Sequence, residues 1–377
     1  MRLYSFSILF LLIIILMASA YFVGNFDFFK KIPAAILNFF QNKESQLVNK
    51  RLMASPRFGI YTTIWVSRSL KNIEKRIDLI DRTELNAIVI DVKDSGVYID
   101  DYTKNLIKKL HEKNIYTIAR LVIFQDGSQV KNRPEWYFKK ADGSLWVDNR
   151  GWYWMDPTNR EVWDHNLDAA KKVIDAGFDE LNFDYIRYPG FKKNDDVVFP
   201  PVLKNQVINK FAHYLTSELK KYDPEITLSI DLFAYNMLKK DDLGIGQTFT
   251  ELYDDFDYIS PMIYPSHYLP GNFGFENPAE YPYEVVFGTI EKGKIQLWEK
   301  SAIEAGTSTP SIVNPVFEKR LRKLRPWLQD FNIGAIYDGE MIRKEKQAVY
   351  DAGLTSGWLL WNSRNVYTEE GLDKLDK

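Results

Sequence analysis

Cysteine is absent from the 377-residue sequence, and histidine occurs only four times. Without thiols there is no disulfide framework, no thiolate nucleophile, no zinc–thiolate site and no Cys-ligated iron–sulfur cluster. A charge excess is missing too. The 49 Lys and Arg against 51 Asp and Glu leave a net charge of -2, which sets nucleic acid aside as a partner. The sequence contains no Gly-x-Gly-x-x-Gly after its first strand, no Walker loop, no Gly-x-Ser-x-Gly elbow and no His-Glu-x-x-His, so no cofactor or metal is expected from motifs. Short repeats and low-complexity tracts are also absent. What remains in excess is aromatic: 24 Phe, 22 Tyr and 10 Trp make up 15% of the chain.

The sequence contains one long hydrophobic run, close to its start. Ile8 to Met17 is wholly apolar, Arg2 precedes it, and Ala18-Ser19-Ala20 is a small-x-small triplet. This is the outline of a signal peptide. Leu3 to Val23 lacks charge for long enough to span a bilayer if it stays uncut. Residues 1–23 are therefore expected to be a signal peptide or a transmembrane anchor. Residues 24–57 read as a tether, and the protein as exported, either secreted or held at the membrane.

From residue 58 the pattern is strand then helix. Apolar runs rich in Ile, Val, Phe and Tyr predict strands at 59–66, 86–93, 115–124, 179–186, 226–234, 256–263, 323–330 and 357–362. Near-continuous apolar strands suit a parallel sheet covered by helices. Ser69 is placed to cap the first helix, and Gly177 and Gly353 to stop later ones. Eight strands with helical crossovers and no internal break predict an α/β fold, a (β/α)8 TIM barrel over residues 58–377, with an open doubly wound sheet as the competitor.

Barrel active sites lie at the C-terminal ends of the strands. Side chains alternate along a strand, so Asn182 shares a face with Asp184, Ser229 with Asp231, and Asp91 with Lys93. The apolar residues of the opposite parity belong against the helices. Charged side chains in such strands are costly unless paired, so these ends mark either a ligand cleft or an ion-pair plug. Inward carboxylates on neighbouring strands fit the paired-carboxylate chemistry of glycoside hydrolysis, in a retaining or an inverting arrangement. Asp184 and Asp231 are the candidate catalytic pair. Asp91, Lys93, Asp94, Arg187, Tyr188, Tyr264, His267, Trp327, Asp330, Trp361 and Asn362, at or near strand ends, and Trp154, in the loop after the third strand, are candidate substrate-binding residues. The segment from Pro134 to Trp154 carries four Trp, which are either stacking platforms for sugar rings or a local mini-core.

The stretch from Trp154 to Pro189, WMDPTNREVWDHNLDAAKKVIDAGFDELNFDYIRYP, resembles the "putative glycoside hydrolase" domain family of bacterial exported proteins. Gly59-Ile60-Tyr61, Asn86 to Asp94, Arg325 to Phe331 and Gly357 to Asn362 resemble it as well. The resemblance covers residue 58 to about 367. It implies a barrel with an Asp nucleophile at the end of the fourth strand, which falls on Asp184. It implies an acid/base on the fifth or sixth strand. Pro261-Met262-Ile263-Tyr264 has no carboxylate, which favours Asp231, with Asp330 a third candidate. The expected substrate is a surface or extracellular polysaccharide or oligosaccharide. The alternatives are a non-catalytic carbohydrate-binding barrel at the envelope and a metal-dependent hydrolase using Asp91, Asp94 and Asp184.

Overall fold

A computed structural model describes residues 56–375, apart from 94, 95, 193 and 199. The predicted export segment and nearly all of the tether lie outside the described residues. Among the described residues no helix is long and apolar enough to cross a membrane.

Eight strands close into one parallel barrel. They are β1 (Arg57–Thr62), β2 (Ala87–Lys93), β3 (Tyr116–Val122), β4 (Glu180–Asp184), β5 (Thr227–Phe233), β6 (Tyr258–Met262), β7 (Trp327–Gln329) and β8 (Gly357–Trp361). Each pairs with its sequence neighbours, and β8 returns to β1. Gly357, at φ +86, makes that closure possible, because a Cβ there would sit 2.0 Å from the Arg57 carbonyl oxygen. Seven longer helices accompany the strands: α1 (Leu70–Arg82), α2 (Asp101–Glu112), α3 (Arg160–Ile174), α4 (Lys204–Tyr222), α5 (Pro282–Glu304), α6 (Pro310–Leu321) and α7 (Gly339–Asp351). The (β/α)8 architecture read from the strand–helix rhythm is thus present. β7 is shorter than its predicted span, and α6 was not foreseen. Ser69 occupies the N-cap position of α1 without a side-chain capping bond, whereas Asn159 caps α3 through the Glu161 amide.

The strand parity follows the apolar pattern. Leu181, Phe183, Leu228, Ile230 and Leu232 join the outer core between sheet and helices. The inner face is a separate, smaller set that includes Tyr61, Val89, Ile118, Trp327 and Leu359. Polar residues sit above and below it. At the bottom, Arg325 grips Glu180 with both Nη atoms, and both side chains are fully buried. The Ser229 hydroxyl (2.6 Å) and the Tyr116 hydroxyl (3.2 Å) also donate to the Glu180 carboxylate. A buried charge is tolerable only with this degree of pairing. The ion-pair alternative weighed for Asp91 and Asp184 is thus realised twice, here by Glu180 and Arg325 deeper in the barrel and above them by Arg120 with Asp91 and Asp184.

Candidate active site

The site rises from the top of the barrel interior, where β2 to β5 each deliver a titratable residue. Arg120 of β3 stands at the centre. Its Nη1 donates to Asp91 Oδ2 on β2 at 2.9 Å, and its Nη2 to Asp184 Oδ2 on β4 at 2.5 Å. Its Nε lies 4.0 Å from Asp231 Oδ2 on β5. The guanidinium therefore fixes two carboxyl groups, Asp91 and Asp184, through its planar fork, and points an unbonded Nε toward a third, Asp231. Because one guanidinium touches both, Asp184 and Asp231 lie within about 9 Å of each other, a span covering the separations of retaining and inverting pairs alike. Rings cover Arg120: Trp361 at 5.5 Å and Tyr61 at 5.9 Å from its carbon. Tyr61 also donates to Asp91 Oδ2 at 2.8 Å.

The two central carboxyl groups differ in environment. Asp184 takes the Arg120 bond on Oδ2 and the Tyr185 backbone N–H on Oδ1 at 2.6 Å. Asp231 is almost fully buried, and its Oδ1 accepts from Trp327 Nε1 (2.7 Å) and Asn182 Nδ2 (2.8 Å). Burial, and then the neighbouring charge of Asp184, push Asp231 up to about 8 despite the opposing pull of Arg120 and its two hydrogen bonds. Burial and Asp184 thus both favour the protonated form of Asp231. The Tyr264 phenol is likewise held well above its ordinary value, by burial and then by Asp231 and Asp184. It stays protonated beside both.

Around this centre the structure brings together Asp91, Asp184, Asp231, Tyr264, Trp327 and Trp361. Trp361 packs on Tyr61 at 4.0 Å between ring centroids and edge-on to Trp327 at 5.9 Å. His267 is exposed at the rim, edge-on to Tyr264 and Phe331. Arg187 projects from the end of β4 into a cluster of rings that includes Trp154.

Other predicted residues are employed elsewhere. Lys93 does not share the cleft with Asp91: a register shift between the two turns it toward the helix layer, where its ammonium donates to the Val122 carbonyl and Asp126 Oδ2, both at 2.6 Å. His165 of α3 lies 3.9 Å from the same carboxylate oxygen. Asp330, beyond the short β7, accepts from the Thr368 amide (2.9 Å) and hydroxyl (2.7 Å). Burial moves it up to about 6. Asn362 donates to the carbonyls of Asp330 and Val366, and these contacts anchor the chain after β8. Tyr188 is fully buried against Phe138, because the left-handed φ of Tyr185 (+58) breaks the strand parity before it. Asp94 lies outside the described residues. Among the described residues no three carboxylate or imidazole groups converge as a metal-ligand set.

The Trp-rich loop is mostly a mini-core. Trp136, Phe138, Trp146 and Trp154 are buried under it, and Trp152 alone among its Trp residues is exposed (46%). Arg120, the hub of the site, was missed by the sequence reading, as was the role of Tyr61. The signal was available: Arg120 is the lone charge in the apolar run Tyr116–Val122, and the argument applied to Asp91 applied to it equally.

No curated protein matches the chain. Among solved structures, a hypothetical protein from Ruminiclostridium thermocellum ATCC 27405 is 31% identical, over 49% of this chain and 98% of its own, with a TM-score of 0.42. The galactosidase domain of the alpha-galactosidase-sucrose kinase AgaSK is 12% identical at a TM-score of 0.50; the match covers 84% of this chain but 39% of that one, and it shows a shared fold. The Bacillus megaterium QM B1551 spore cortex-lytic enzyme SleL is 11% identical over 84% of this chain and 72% of its own, with a TM-score of 0.49. Residues 59–367 match the family model described as "Putative glycosyl hydrolase domain", and the chain belongs to that family.

Proposed function

We propose that the barrel hydrolyses glycosidic bonds of a polysaccharide by a two-carboxylate mechanism, with Asp184 as nucleophile and Asp231 as general acid and base. The observation that carries this reading is the contrast between two adjacent carboxyl groups. One is salt-bridged to Arg120, and the other is buried beside it with its pKa raised. Pairs whose environments push their proton affinities apart divide the acid and base roles. Asp184 attacks the anomeric carbon as the Asp231 proton passes to the departing glycosidic oxygen. Asp231, now ionised, takes a proton from water, which attacks the same carbon and releases Asp184. Asp91 holds Arg120 in place and is itself held by Tyr61, and Trp361, half-buried at the mouth, is the ring placed to meet a sugar.

The first 23 residues support export by composition, so the substrate is placed at the cell surface or outside it, with the chain secreted or anchored. The test is incubation of the purified chain with a polysaccharide panel, with product anomers read by NMR. An Asp184→Asn variant that remains active would eliminate the nucleophile assignment.

A second reading has one observation in its favour. Asp231 is only 2% exposed, which restricts its approach to a leaving oxygen. A carbohydrate-binding barrel without turnover predicts sugar binding on the same panel, no product, and binding little changed by Asp231→Asn.

A further inference from the structure

Arg187 is the second guanidinium at the barrel mouth, and its surroundings are the reverse of those of Arg120. Its carbon lies 4.7 Å from the Tyr185 ring centroid, 4.8 Å from that of Trp154 and 4.9 Å from that of Phe233. These rings come from the end of β4, the loop after β3 and the end of β5. They flank Asp184 and Asp231 directly: Tyr185 follows Asp184, and Phe233 lies two residues past Asp231. The cage is not sealed, since Phe233 is 37% exposed and Tyr185 and Arg187 are half-buried.

Among the described residues no carboxylate lies within 4.0 Å of Arg187. The two that act on it from farther away, Asp184 and Asp148, are engaged by other donors. Asp184 is taken by Arg120 and the Tyr185 amide. Asp148 accepts from Trp154 Nε1 (3.0 Å) and from the amides of Arg150 and Trp152. The hydrogen bond that Arg187 makes runs from Nη1 to the Tyr188 carbonyl (3.0 Å). It uses one of the five N–H donors of a guanidinium. Three rings hold the group flat and in place, yet they supply no counter-charge. A second cation, Arg150, stacks on exposed Trp152 of the same loop at 5.7 Å. An oriented, partly desolvated guanidinium with donors to spare is the arrangement that takes a planar carboxylate with two parallel bonds.

We propose that Arg187 in its ring cage receives a carboxylate carried by a sugar at the cleft, so that the ligand is an acidic polysaccharide containing uronic acids. This rests on the carbohydrate reading of the site and names its substrate class.

The experiment uses the full chain carrying Asp184→Asn, so that turnover does not consume the ligand. Polygalacturonate, alginate and hyaluronan oligosaccharides are titrated calorimetrically, each beside its carboxyl-reduced counterpart. The expected result is at least one uronan bound tenfold or more tighter than its reduced form. In Arg187→Gln the ratio falls to near one, and Arg187→Lys keeps only part of it. Equal affinity for every native and reduced pair, binding of none of the uronans, or a preference that survives Arg187→Gln would overturn the proposal. The paired comparison in the parent chain needs no Arg187 variant to fold. Dextran sulfate bound as tightly through Arg187 would also overturn the carboxylate assignment, in favour of a general anion site. The hydrolase reading fails separately. A uronan bound in this way but never cleaved by the wild-type chain supports the present inference and removes that reading, whereas cleavage confined to neutral polymers does the opposite.

Discussion

Replacing Asp231 with Asn should make the protein more stable at high pH and leave it nearly unchanged at low pH. The native carboxyl is raised from 3.8 to about 8, chiefly by burial and by Asp184. Between those values the native state binds a proton that the unfolded chain does not. Stability therefore falls as pH rises through this window, and the full loss is present above about 8. Every tenfold gain in proton affinity on folding is worth about 1.4 kcal/mol. The loss thus amounts to roughly 3 to 6 kcal/mol across the window, the lower figure allowing for the interaction of Asp231 with Asp184 and Arg120. Asn is the nearest mimic of the protonated acid: its oxygen can still accept from Trp327 Nε1 and Asn182 Nδ2. Urea unfolding of wild type and Asp231→Asn at pH 5 and pH 8.5 measures the effect as a difference between differences. Asp330 and Glu345 are also raised, mainly by burial, and add slopes of the same sign, but equally in both chains, so they cancel. The expected result is near-equal stability at pH 5 and a variant more stable by several kcal/mol at pH 8.5. Parallel profiles, with the same gap at both values, would show that Asp231 is not held protonated by the fold.

The same proton placement should appear in catalysis: kcat/KM on the cleaved polymer declines about tenfold per unit above pH ~8, and Asp231→Asn lowers kcat by on the order of 10²–10⁴. A flat alkaline profile in the wild type would count against Asp231 as the acid. Arg120→Met leaves Asp91 and Asp184 without their common partner and should cost about 3–5 kcal/mol at neutral pH, measured by denaturant midpoint. Because Arg120 pulls Asp231 downward, its removal should also move the alkaline limb to higher pH; an unmoved limb would contradict the electrostatic role. Glu180→Gln breaks the buried pair with Arg325 one layer below and should cost a similar about 3–5 kcal/mol. Its pH–rate limb should stay in place, which separates a stability plug from a group that tunes the site.

Much of this molecule was legible in one dimension. The eight apolar runs and the helices between them specify a parallel α/β sheet, a pattern that a closed barrel and an open doubly wound sheet share, and the pairing of β8 with β1 decides for the barrel. The period of two aims Asn182 with Asp184 and Ser229 with Asp231 inward, and the hydrogen bonds of Asn182 to Ser229 and Asp231 follow from it. Parity arguments fail where the backbone leaves the ideal strand. The shift after Asp91 sends Lys93 to Asp126, and the positive φ at Tyr185 buries Tyr188. Nor can composition distinguish an exposed ring from a buried one, so the Trp-rich loop became a mini-core only once its chain was folded over.

Periodicity by itself therefore determined the parallel strand–helix architecture and the inward faces that carry its carboxyl groups. Tertiary structure alone decided their partners. Arg325 meets Glu180 from 145 residues away, and Arg120 joins carboxyl groups from β2, β4 and β5, since which charges pair depends on the closure and stagger of the strands. The proton on Asp231 has the same origin, because burial and the nearness of Asp184 exist only in the closed barrel.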